Sequence, residues 1–322
     1  MNLKEFGGEK AMIAFLKKNF ASKDKNVIKG IGDDAAVIKK DSKGKEVFVV
    51  TTDMLCEDDH FSLKYFTPFQ IGLKSMESNV SDIASMNAIP KYAFLSVAFK
   101  KNTTAKFFKE FFEGVKKSCK RNKTELIGGD ITHGKKIAVS ITIIGEAKRK
   151  EIVYRKGTKS GELIFVSGKL GDSKAGLGCF RKKIKGFNYV KKKHLEPKAR
   201  TDISKAIGKI ATAMEDVSDG LASEVKNICG ESNCGAVIYW EKIPVSKECE
   251  KTAERFNTNG KNYALFGGED FELVFTVKKK DKKKAEKLGF CVGEIIKGKK
   301  VFLERNEKKI ELTKTGFDHF KN

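Results

Sequence analysis

Aspartates next to glycine, serine or threonine recur along the chain, mostly where an apolar run ends. They occur in seven short segments: 30–38 (GIGDDAAVI), 51–53 (TTD), 81–86 (SDIASM), 128–130 (GGD), 171–177 (GDSKAGL), 215–223 (EDVSDGLAS) and 267–273 (GGEDFEL). One Asp-Gly pair alone usually marks a turn. As a set the segments indicate more, because glycine lets the backbone approach a phosphate closely and aspartate oxygens bind hard cations.

Several aspartates brought to one place from separate strands repel each other, and bound divalent cations relieve that repulsion. Magnesium prefers oxygen ligands and usually keeps water and substrate phosphates in its coordination shell. We therefore predict a phosphate-binding site that holds several metal ions.

The common nucleotide-binding motifs do not occur in the sequence. The segment 129–136, GDITHGKK, resembles a P-loop, but Lys136 stands where a P-loop has the serine or threonine that binds magnesium. The segment also leads into a predicted strand rather than a helix. There is no GxGxxG fingerprint and no protein-kinase catalytic motif. An enzyme with this sequence that uses ATP therefore needs a different nucleotide-binding fold.

Strand-like and helix-like segments alternate along the chain, which is typical of an α/β (α+β) protein. The apolar runs 47–53 and 137–147 predict strands, and residues 105–119 have the spacing of an amphipathic helix. A charged segment, 147–161, separates two such series. We predict two α/β domains, an N-terminal one at 1–147 and a C-terminal one at 148–322.

The apolar stretches are too short to span a membrane. The segment 137–145 is strand-sized, whereas a spanning helix needs about 18 apolar residues or more. Residues 1–10 include acidic side chains and lack the pattern of a signal peptide. We therefore expect a cytoplasmic protein without a membrane partner.

The chain carries a formal net charge of +23, which by itself suggests a nucleic-acid partner. Its 65 basic residues include only seven arginines, however, and the lysines are scattered in twos and threes. Nucleic-acid binders usually concentrate charge on one element and read bases with arginine. Solvated lysine faces are therefore the favoured interpretation. The seven cysteines contain no CxxC pair, which favours reduced structural thiols over a zinc site.

The aspartate segments, in this order and at this spacing, closely resemble the thiamine-monophosphate kinase family of the aminoimidazole-ribonucleotide synthetase superfamily. The resemblance runs from 30–38 to the terminal 316–320 (GFDHF), so it covers nearly the whole chain. It implies that the N-terminal domain joins a partner's strands in a dimeric β-barrel and that a C-terminal α/β domain follows. ATP and metals are then expected between the domains. The implied partners are ATP, thiamine monophosphate and a second copy of the chain, without a specific nucleic acid.

The resemblance also implies roles for individual residues. The implied ligands of several Mg²⁺ ions are Asp33, Thr51, Thr52, Asp53, Asp82, Asp130, Asp216 and Asp219. The implied catalytic residues are Asp53, Asp82, Asp130 and Asp216. The implied nucleotide contacts are Gly129, Asp130, Arg155, Ser218 and Phe112. The implied substrate contacts are His60, Glu269 and Phe317.

The chain departs from the family pattern in three places. Residues 57–59 (EDD) precede His60 where the family commonly has Glu-Gly-Val, which adds negative charge there. Phe112 stands where the family often has a tyrosine next to the adenine, which keeps the packing surface but removes a hydroxyl. Phe317 replaces a frequent tryptophan or tyrosine and still offers an aromatic face.

The implied activity is the ATP-dependent phosphorylation of thiamine monophosphate to thiamine diphosphate, by direct Mg²⁺-assisted in-line transfer. The acceptor phosphate is already ionised at neutral pH, so no strong general base is required. One alternative is another ATP-dependent enzyme of the superfamily, of the aminoimidazole-ribonucleotide or selenophosphate synthetase type. A remote alternative is a basic nucleic-acid-binding protein, which predicts tight, salt-dependent binding to oligonucleotides.

Overall fold

The computed structural model describes residues 8–314 and 316–317. Its helices are α1 (Glu9–Asn19), α2 (Pro68–Ser85), α3 (Ala105–Asn122), α4 (Asp172–Arg181), α5 (Asn188–Leu195), α6 (Ser204–Gly208), α7 (Leu221–Ser232), α8 (Lys247–Arg255), α9 (Gly260–Phe266) and α10 (Lys282–Ala285). Its strands are β1 (Val27–Lys29), β2 (Ala36–Lys39), β3 (Glu46–Cys56), β4 (Ile89–Phe99), β5 (Glu125–His133), β6 (Ala138–Lys148), β7 (Leu163–Val166), β8 (Ala211–Asp216), β9 (Gly235–Tyr239), β10 (Leu273–Val277), β11 (Phe290–Ile296), β12 (Val301–Arg305) and β13 (Lys308–Glu311). None of these helices is both long and apolar enough to span a membrane.

The first half of the described chain forms one mixed sheet with the strand order β1-β2-β3-β6-β4-β5. Neighbouring strands are antiparallel, except that β4 and β5 are parallel. Strands β3 and β6 bury alternate side chains, as expected when one face of a sheet packs on a core. The strands predicted at 47–53 and 137–147 are confirmed by β3 and β6.

Helix α2 packs on this sheet, and α3 packs on α2. Helix α2 begins with a capping box, in which the side chains of Thr67 and Gln70 each accept a hydrogen bond from the other residue's backbone N–H. Pro68 follows the cap, where its fixed φ angle suits the first turn. Helix α3 buries Phe111 and Val115 on one side, which confirms the amphipathic helix predicted at 105–119.

Helices α2 and α3 approach closely at two glycines. A Cβ added to Gly72 would lie 2.1 Å from the Phe111 carbonyl oxygen. A Cβ added to Gly114 would lie 1.9 Å from the Phe69 carbonyl oxygen. Any larger residue at either position would therefore push the two helices apart.

The second half of the described chain forms another mixed sheet, with the order β13-β12-β9-β11-β7-β10-β8. Its neighbouring strands are antiparallel, except that β9 and β12 are parallel. Helix α7 packs against this sheet over a second apolar core. The chain is thus a mixed α/β protein with two sheets, as predicted. The predicted domain boundary at 147/148 lies at the end of β6 and stays a prediction.

Helix α2 also contacts the second half of the chain. The buried Glu77 carboxylate accepts hydrogen bonds from the Ala199 backbone N–H at 2.8 Å and from Ser118 of α3 at 2.7 Å. Near the end of the helix, the Ser204 hydroxyl donates to the Ala84 carbonyl oxygen at 2.5 Å. These contacts place α2 between the two sheets, where it can carry residues of a shared site.

Candidate functional site

A cleft of about 2450 Å³ is lined by residues from both halves of the chain. The predicted site residues that line it are Asp33, Thr51, Thr52, Asp53, His60, Asp82, Arg155, Asp216, Ser218, Asp219, Glu269 and Phe317. Gly129, Asp130 and Phe112 also belong to the described part of the chain, but they do not line this cleft. The fold thus gathers most of the predicted site in one place. The end of the terminal motif, 318–320, lies outside the described residues.

Four aspartates, from β3, β8, α2 and the loop that precedes β2, form an acidic cluster in the cleft. This acidic cluster consists of Asp34, Asp53, Asp82 and Asp216. Hydroxyl groups hold two of its carboxylates. The Thr51 hydroxyl donates to Asp82 at 2.6 Å, and the Ser81 hydroxyl donates to Asp216 at 2.6 Å. Because Ser81 and Asp82 are neighbours on α2, this helix carries one carboxylate of the cluster and holds another from the second sheet.

Burial and mutual repulsion make the charged state of the acidic cluster costly. Burial raises the pKa of Asp53 to about 6, and the charge of Asp34 adds to the effect. Burial also raises the pKa of Asp82 well above its usual value, with further repulsion from Asp53 and Asp216. The pKa of Asp216 is raised by burial and by Asp34. Such a cluster favours the binding of cations, which stabilise the ionised carboxylates.

Arg155 is the predicted phosphate contact, and two carboxylates hold its guanidinium. Its Nε donates to Asp34 Oδ1 at 2.9 Å, and its Nη2 contacts both Asp34 and, at 2.9 Å, Glu215. Its backbone N–H donates to Asp33 Oδ1 at 3.2 Å, and Lys29 Nζ lies 3.1 Å from Asp33 Oδ2. The arginine is therefore fixed beside the acidic cluster, with its charge balanced by Asp34 and Glu215.

Asp34 and Glu215 were missed by the sequence prediction, although a signal for both was available. Asp34 directly follows the predicted Asp33, and Glu215 directly precedes the predicted Asp216. The sequence analysis selected only one residue of each adjacent acidic pair, whereas both residues of each pair line the cleft.

Thr51 and Thr52 were both predicted as metal ligands, but their side chains lie on opposite faces of β3. Thr51 is buried and bonded to Asp82. The Thr52 hydroxyl instead donates to the Ile141 carbonyl oxygen at 3.2 Å and accepts from Thr142 at 3.1 Å. This alternation follows from the two-residue period of a strand. A metal contact from Thr52 would therefore come from its main chain.

The donor set of the cleft fits a hard divalent cation such as Mg²⁺. Carboxylate and threonine oxygens are the ligand types that Mg²⁺ prefers. The Glu215 Oε2 atom beside the acidic cluster is buried and has no hydrogen-bond partner among the described residues. In the same part of the chain, no group of three or more His, Cys, Asp or Glu side chains could hold a metal ion by itself. Phosphate oxygens and water would have to complete the coordination, as is usual for Mg²⁺.

Two glycine-containing loops pack against each other next to the acidic cluster. The Glu269 backbone N–H donates to the Ser218 carbonyl oxygen at 2.7 Å. A Cβ on Gly268 would lie 2.1 Å from that same oxygen, so the contact requires glycine. The Phe317 N–H donates to the Asp219 carbonyl oxygen at 3.2 Å. These contacts bring the predicted nucleotide contact Ser218 and two predicted substrate contacts to one wall.

A buried lysine, Lys74, contacts both Glu269 and His60, and the sequence analysis did not select it. Lys74 Nζ lies 2.5 Å from Glu269 Oε1 and donates to the His60 carbonyl oxygen at 2.9 Å. His60 Nδ1 accepts from the Cys56 N–H at 3.1 Å, which leaves the ring proton on Nε2. Lys74 and Asp82 are eight residues apart on α2, which corresponds to about 12 Å along the helix. The cleft therefore has a second polar centre, separate from the acidic cluster.

Aromatic and basic side chains surround this second centre. Tyr65 and Phe180 stack with 4.4 Å between ring centroids, and both line the cleft. His194, which the sequence analysis did not select, is buried next to Phe66 and Glu269. The basic residues that line the cleft include Lys64, Lys174, Arg181 and Lys191. An aromatic wall with nearby cations suits a ligand that combines a ring with a phosphate.

Gly129, Asp130 and Phe112 lie away from the lining of this cleft. Gly129 and Asp130 are on β5, the edge strand of the first sheet, and every residue of β5 is exposed. Phe112 packs on α3 against Phe108 and Phe111, at centroid distances of 4.8 and 5.2 Å. The predicted roles of these three residues stay predictions.

Comparison with known proteins gives matches over nearly the whole chain. Family models match the AIR synthase related protein N-terminal domain at residues 32–147 and its C-terminal domain at 159–306. Thiamine-monophosphate kinase of Buchnera aphidicola subsp. Schizaphis graminum is 39% identical over 318 residues, covering 94% of this chain and 96% of that protein.

Solved structures agree with these matches. The structure of AaThiL complexed with AMPPCP and TMP has a TM-score of 0.89 and 34% sequence identity, and 99% of each chain is covered. The crystal structure of thiamine monophosphate kinase from Aquifex aeolicus has a TM-score of 0.84 and 34% identity, covering 97% of this chain and 100% of that one.

Proposed function

Because this chain belongs to the thiamine-monophosphate kinase family, and is therefore an enzyme of that kinase class, we propose that it converts ATP and thiamine monophosphate to ADP and thiamine diphosphate. In this reaction a terminal phosphate oxygen of thiamine monophosphate forms a bond to the γ-phosphorus of ATP. The bond between that phosphorus and the β,γ-bridging oxygen breaks. The observation that carries the proposal is the convergence of carboxylates from both sheets in one cleft large enough for two ligands.

The residues of the acidic cluster fit Mg²⁺, which would supply positive charge to neutralise the charge of the phosphates there. We propose that Asp53, Asp82 and Asp216 are its principal ligands, with Asp33 and Asp219 at the margin. The role of the protein is then to hold these carboxylates in position. Thr51 and Ser81 do this by donating hydrogen bonds to Asp82 and Asp216. The other Mg²⁺ ligands that the family resemblance implies are Thr51, Thr52 and Asp130.

We further propose that the phosphoryl group passes directly from ATP to its acceptor. The acceptor phosphate is ionised at neutral pH, so the chain does not need to remove a proton from it. Phosphoryl transfer depends mainly on in-line positioning and charge neutralisation. Ser218 and Arg155 lie beside the acidic cluster, where phosphates would bind. His60 and Glu269 lie at the second polar centre, and Phe317 lines the same cleft beside Asp219. We propose that these three residues bind the thiamine portion.

A homodimer would account for the position of β5. This strand is an exposed sheet edge, and it carries the predicted nucleotide and metal residues Gly129 and Asp130. The exposed apolar residues on the same sheet include Met54, Tyr92, Phe94, Leu126, Ile127 and Ile131. An unpaired edge with apolar side chains readily pairs with another chain. We propose that two copies associate through this sheet, so that Asp130 acts in a site that both copies form.

The proposed function is tested by incubating purified protein with ATP, Mg²⁺ and thiamine monophosphate and separating the products by chromatography. Thiamine diphosphate and ADP are expected in equal amounts, and only when all three components are present. Free thiamine and inorganic phosphate serve as control acceptors and should give no product. Folded protein that binds ATP without forming thiamine diphosphate would contradict the substrate assignment.

A further inference from the structure

Lys74 is a lysine buried inside helix α2. It is only 1% exposed and is among the largest fully buried side chains of the described residues. Burying an ammonium group is costly unless it is paired and hydrogen-bonded. Lys74 meets both conditions, because its Nζ lies 2.5 Å from Glu269 Oε1 and donates to the His60 carbonyl oxygen at 2.9 Å. Its Nζ also lies 5.3 Å from the ring centroid of Phe66, where a cation is attracted to the aromatic face.

The second oxygen of Glu269 faces another buried group. Glu269 Oε2 lies 3.4 Å from His194 Nδ1, and His194 is 2% exposed. The Ser173 hydroxyl lies 3.1 Å from the same ring nitrogen and restrains the imidazole. Each carboxylate oxygen of Glu269 therefore has its own buried neighbour, which leaves the side chain little freedom to rotate.

The backbone of Glu269 is restrained as well. Its φ angle is +67°, a left-handed conformation that side chains other than glycine rarely adopt. Its N–H donates to the Ser218 carbonyl oxygen at 2.7 Å, which holds its loop against the loop that carries Ser218. The surrounding fold therefore determines where the carboxylate lies, even though the local conformation is strained.

The charges around Glu269 favour its ionised form. Burial would raise the pKa of Glu269, but Lys74 and His194 outweigh this effect and hold the pKa well below its usual range. The pKa of His194 is lowered by burial and by the neighbouring Lys74. The side chain of Glu269 is 28% exposed, whereas that of Lys74 is 1% exposed. A ligand in the cleft can therefore reach the carboxylate but not the ammonium that balances it.

We propose that Lys74 and His194 are positioning residues that fix Glu269 as an ionised hydrogen-bond acceptor for the amino group of the acceptor substrate. This inference rests on the proposed function. Thiamine monophosphate has an aminopyrimidine whose amino N–H groups can donate, and a thiazolium ring with a permanent positive charge. A fixed carboxylate selects for both features. A site built to pair with a donor discriminates strongly against an analogue that lacks it.

The first experiment is a steady-state comparison of wild-type protein with Lys74→Met, Lys74→Arg, Glu269→Gln and the Lys74→Met/Glu269→Gln double variant. Without Lys74 the carboxylate is no longer held, so Lys74→Met should raise KM for thiamine monophosphate about tenfold or more and leave KM for ATP within about twofold. Lys74→Arg keeps the positive charge, so it should raise KM for thiamine monophosphate less than Lys74→Met does. The double variant should be no worse than Glu269→Gln, because Lys74 acts through Glu269.

The second experiment uses a substrate analogue in which a carbonyl oxygen replaces the pyrimidine amino group, the oxythiamine analogue of thiamine monophosphate. Wild-type protein should prefer the amino substrate by about tenfold or more in kcat/KM. Glu269→Gln and His194→Phe should reduce this preference, since the carboxylate is lost in one and less restrained in the other. Thermal unfolding of each variant shows whether the fold is retained.

The outcomes separate this inference from the proposed function. Wild-type protein that neither binds nor phosphorylates thiamine monophosphate would overturn both. Wild-type activity together with additive losses in the double variant, or with equal increases in both KM values for Lys74→Met, would overturn this inference alone. If Lys74→Met does not fold, the double variant decides, because it removes the ammonium and the carboxylate together. Kinetics equal to those of Glu269→Gln support the inference, and a further loss contradicts it.

Discussion

The Ser81 hydroxyl donates a hydrogen bond of 2.6 Å to the Asp216 carboxylate, and this contact joins α2 to the end of β8 in the other sheet. The next residue on α2, Asp82, belongs to the same acidic cluster. About two turns earlier, Lys74 holds Glu269 at the second polar centre. One helix therefore sets the distance between the proposed metal site and the proposed acceptor site.

The Ser81–Asp216 contact predicts an effect on metal use without loss of the fold. Ser81→Ala removes the donor to Asp216, and loss of such an outer hydrogen bond typically costs about 10–100-fold in metal affinity or activity. We expect the Mg²⁺ concentration for half-maximal activity to rise by about tenfold. Ser75→Ala is the control, because that hydroxyl donates within α2, to the Ile71 carbonyl oxygen. Equal Mg²⁺ dependence in both variants would show that the contact does not hold the site.

The acidic cluster predicts that the metal-free protein loses stability as pH rises. The pKa of Asp53 is raised to about 6, and those of Asp82 and Asp216 are raised as well. Since the unfolded value is about 3.9, the stabilising contribution of the protonated forms is complete below pH 4 and is lost as pH rises through about 6. Added Mg²⁺ should restore stability more at pH 8 than at pH 5.

Thermal unfolding in EDTA and in Mg²⁺ at the two pH values measures this dependence. Asp82→Asn removes one of the repelling charges, so it should reduce the pH dependence in EDTA and also the stabilisation by Mg²⁺. A melting temperature that responds equally to Mg²⁺ at pH 5 and pH 8, in wild type and variant alike, would argue against a cation site in the acidic cluster.

Two glycine substitutions should have opposite effects on stability, one where α2 and α3 approach closely and one in α7. Gly114→Ala places a Cβ 1.9 Å from the Phe69 carbonyl oxygen, so it should lower the free energy of unfolding by about 2–3 kcal/mol. A Cβ at Gly230 in α7 meets no atom of the described residues within 4 Å, apart from its chain neighbours and its own helix backbone. Gly230→Ala should therefore raise the free energy of unfolding by about 0.5–1 kcal/mol. Urea denaturation measures both. Equal stability of the two variants would contradict the close packing of the helices.

The proposed homodimer predicts different effects for two lysine substitutions on exposed edge strands. Ile127 on β5 is 52% exposed and Ile310 on β13 is 62% exposed. Ile127→Lys should convert a dimer to a monomer and lower activity, because it places a charge in the proposed interface. Ile310→Lys should leave the oligomeric state and the activity unchanged. Light scattering coupled to size-exclusion chromatography measures the mass, and a monomeric wild type with full activity would rule out this dimer.

The sequence predicted the elements and motifs whose information is local. Strands β3 and β6 and helix α3 follow from hydrophobic periodicity, and the residues of the acidic cluster stand in short Asp-rich segments. Lys74 was missed because its partners, Glu269 and His60, come from other parts of the chain. The burial of α2 on nearly all sides is seen only in the structure. Once that burial is known, a lysine in the helix is expected to be paired.

Other features of the site cannot be predicted from local sequence patterns. The stacking of Tyr65 on Phe180 depends on how two segments pack in three dimensions. Asp130 stands in a segment of the same composition as those of the acidic cluster, yet it lies on an exposed edge strand. Composition indicates which residues can bind a metal or a phosphate. Composition does not indicate whether these residues come together within one chain or between two copies of the chain.

The role of the acidic cluster in phosphoryl transfer is tested by following the labelled γ-phosphate of ATP in wild type, Asp82→Asn and Ser75→Ala, with thiamine monophosphate and with or without Mg²⁺. Wild type and Ser75→Ala should move the label into thiamine diphosphate only with Mg²⁺. Asp82→Asn, although folded, should be slower by about a hundredfold or more. Wild-type transfer that needs no divalent cation, or wild-type rates in Asp82→Asn, would contradict the assignment of the acidic cluster as the site of phosphoryl transfer.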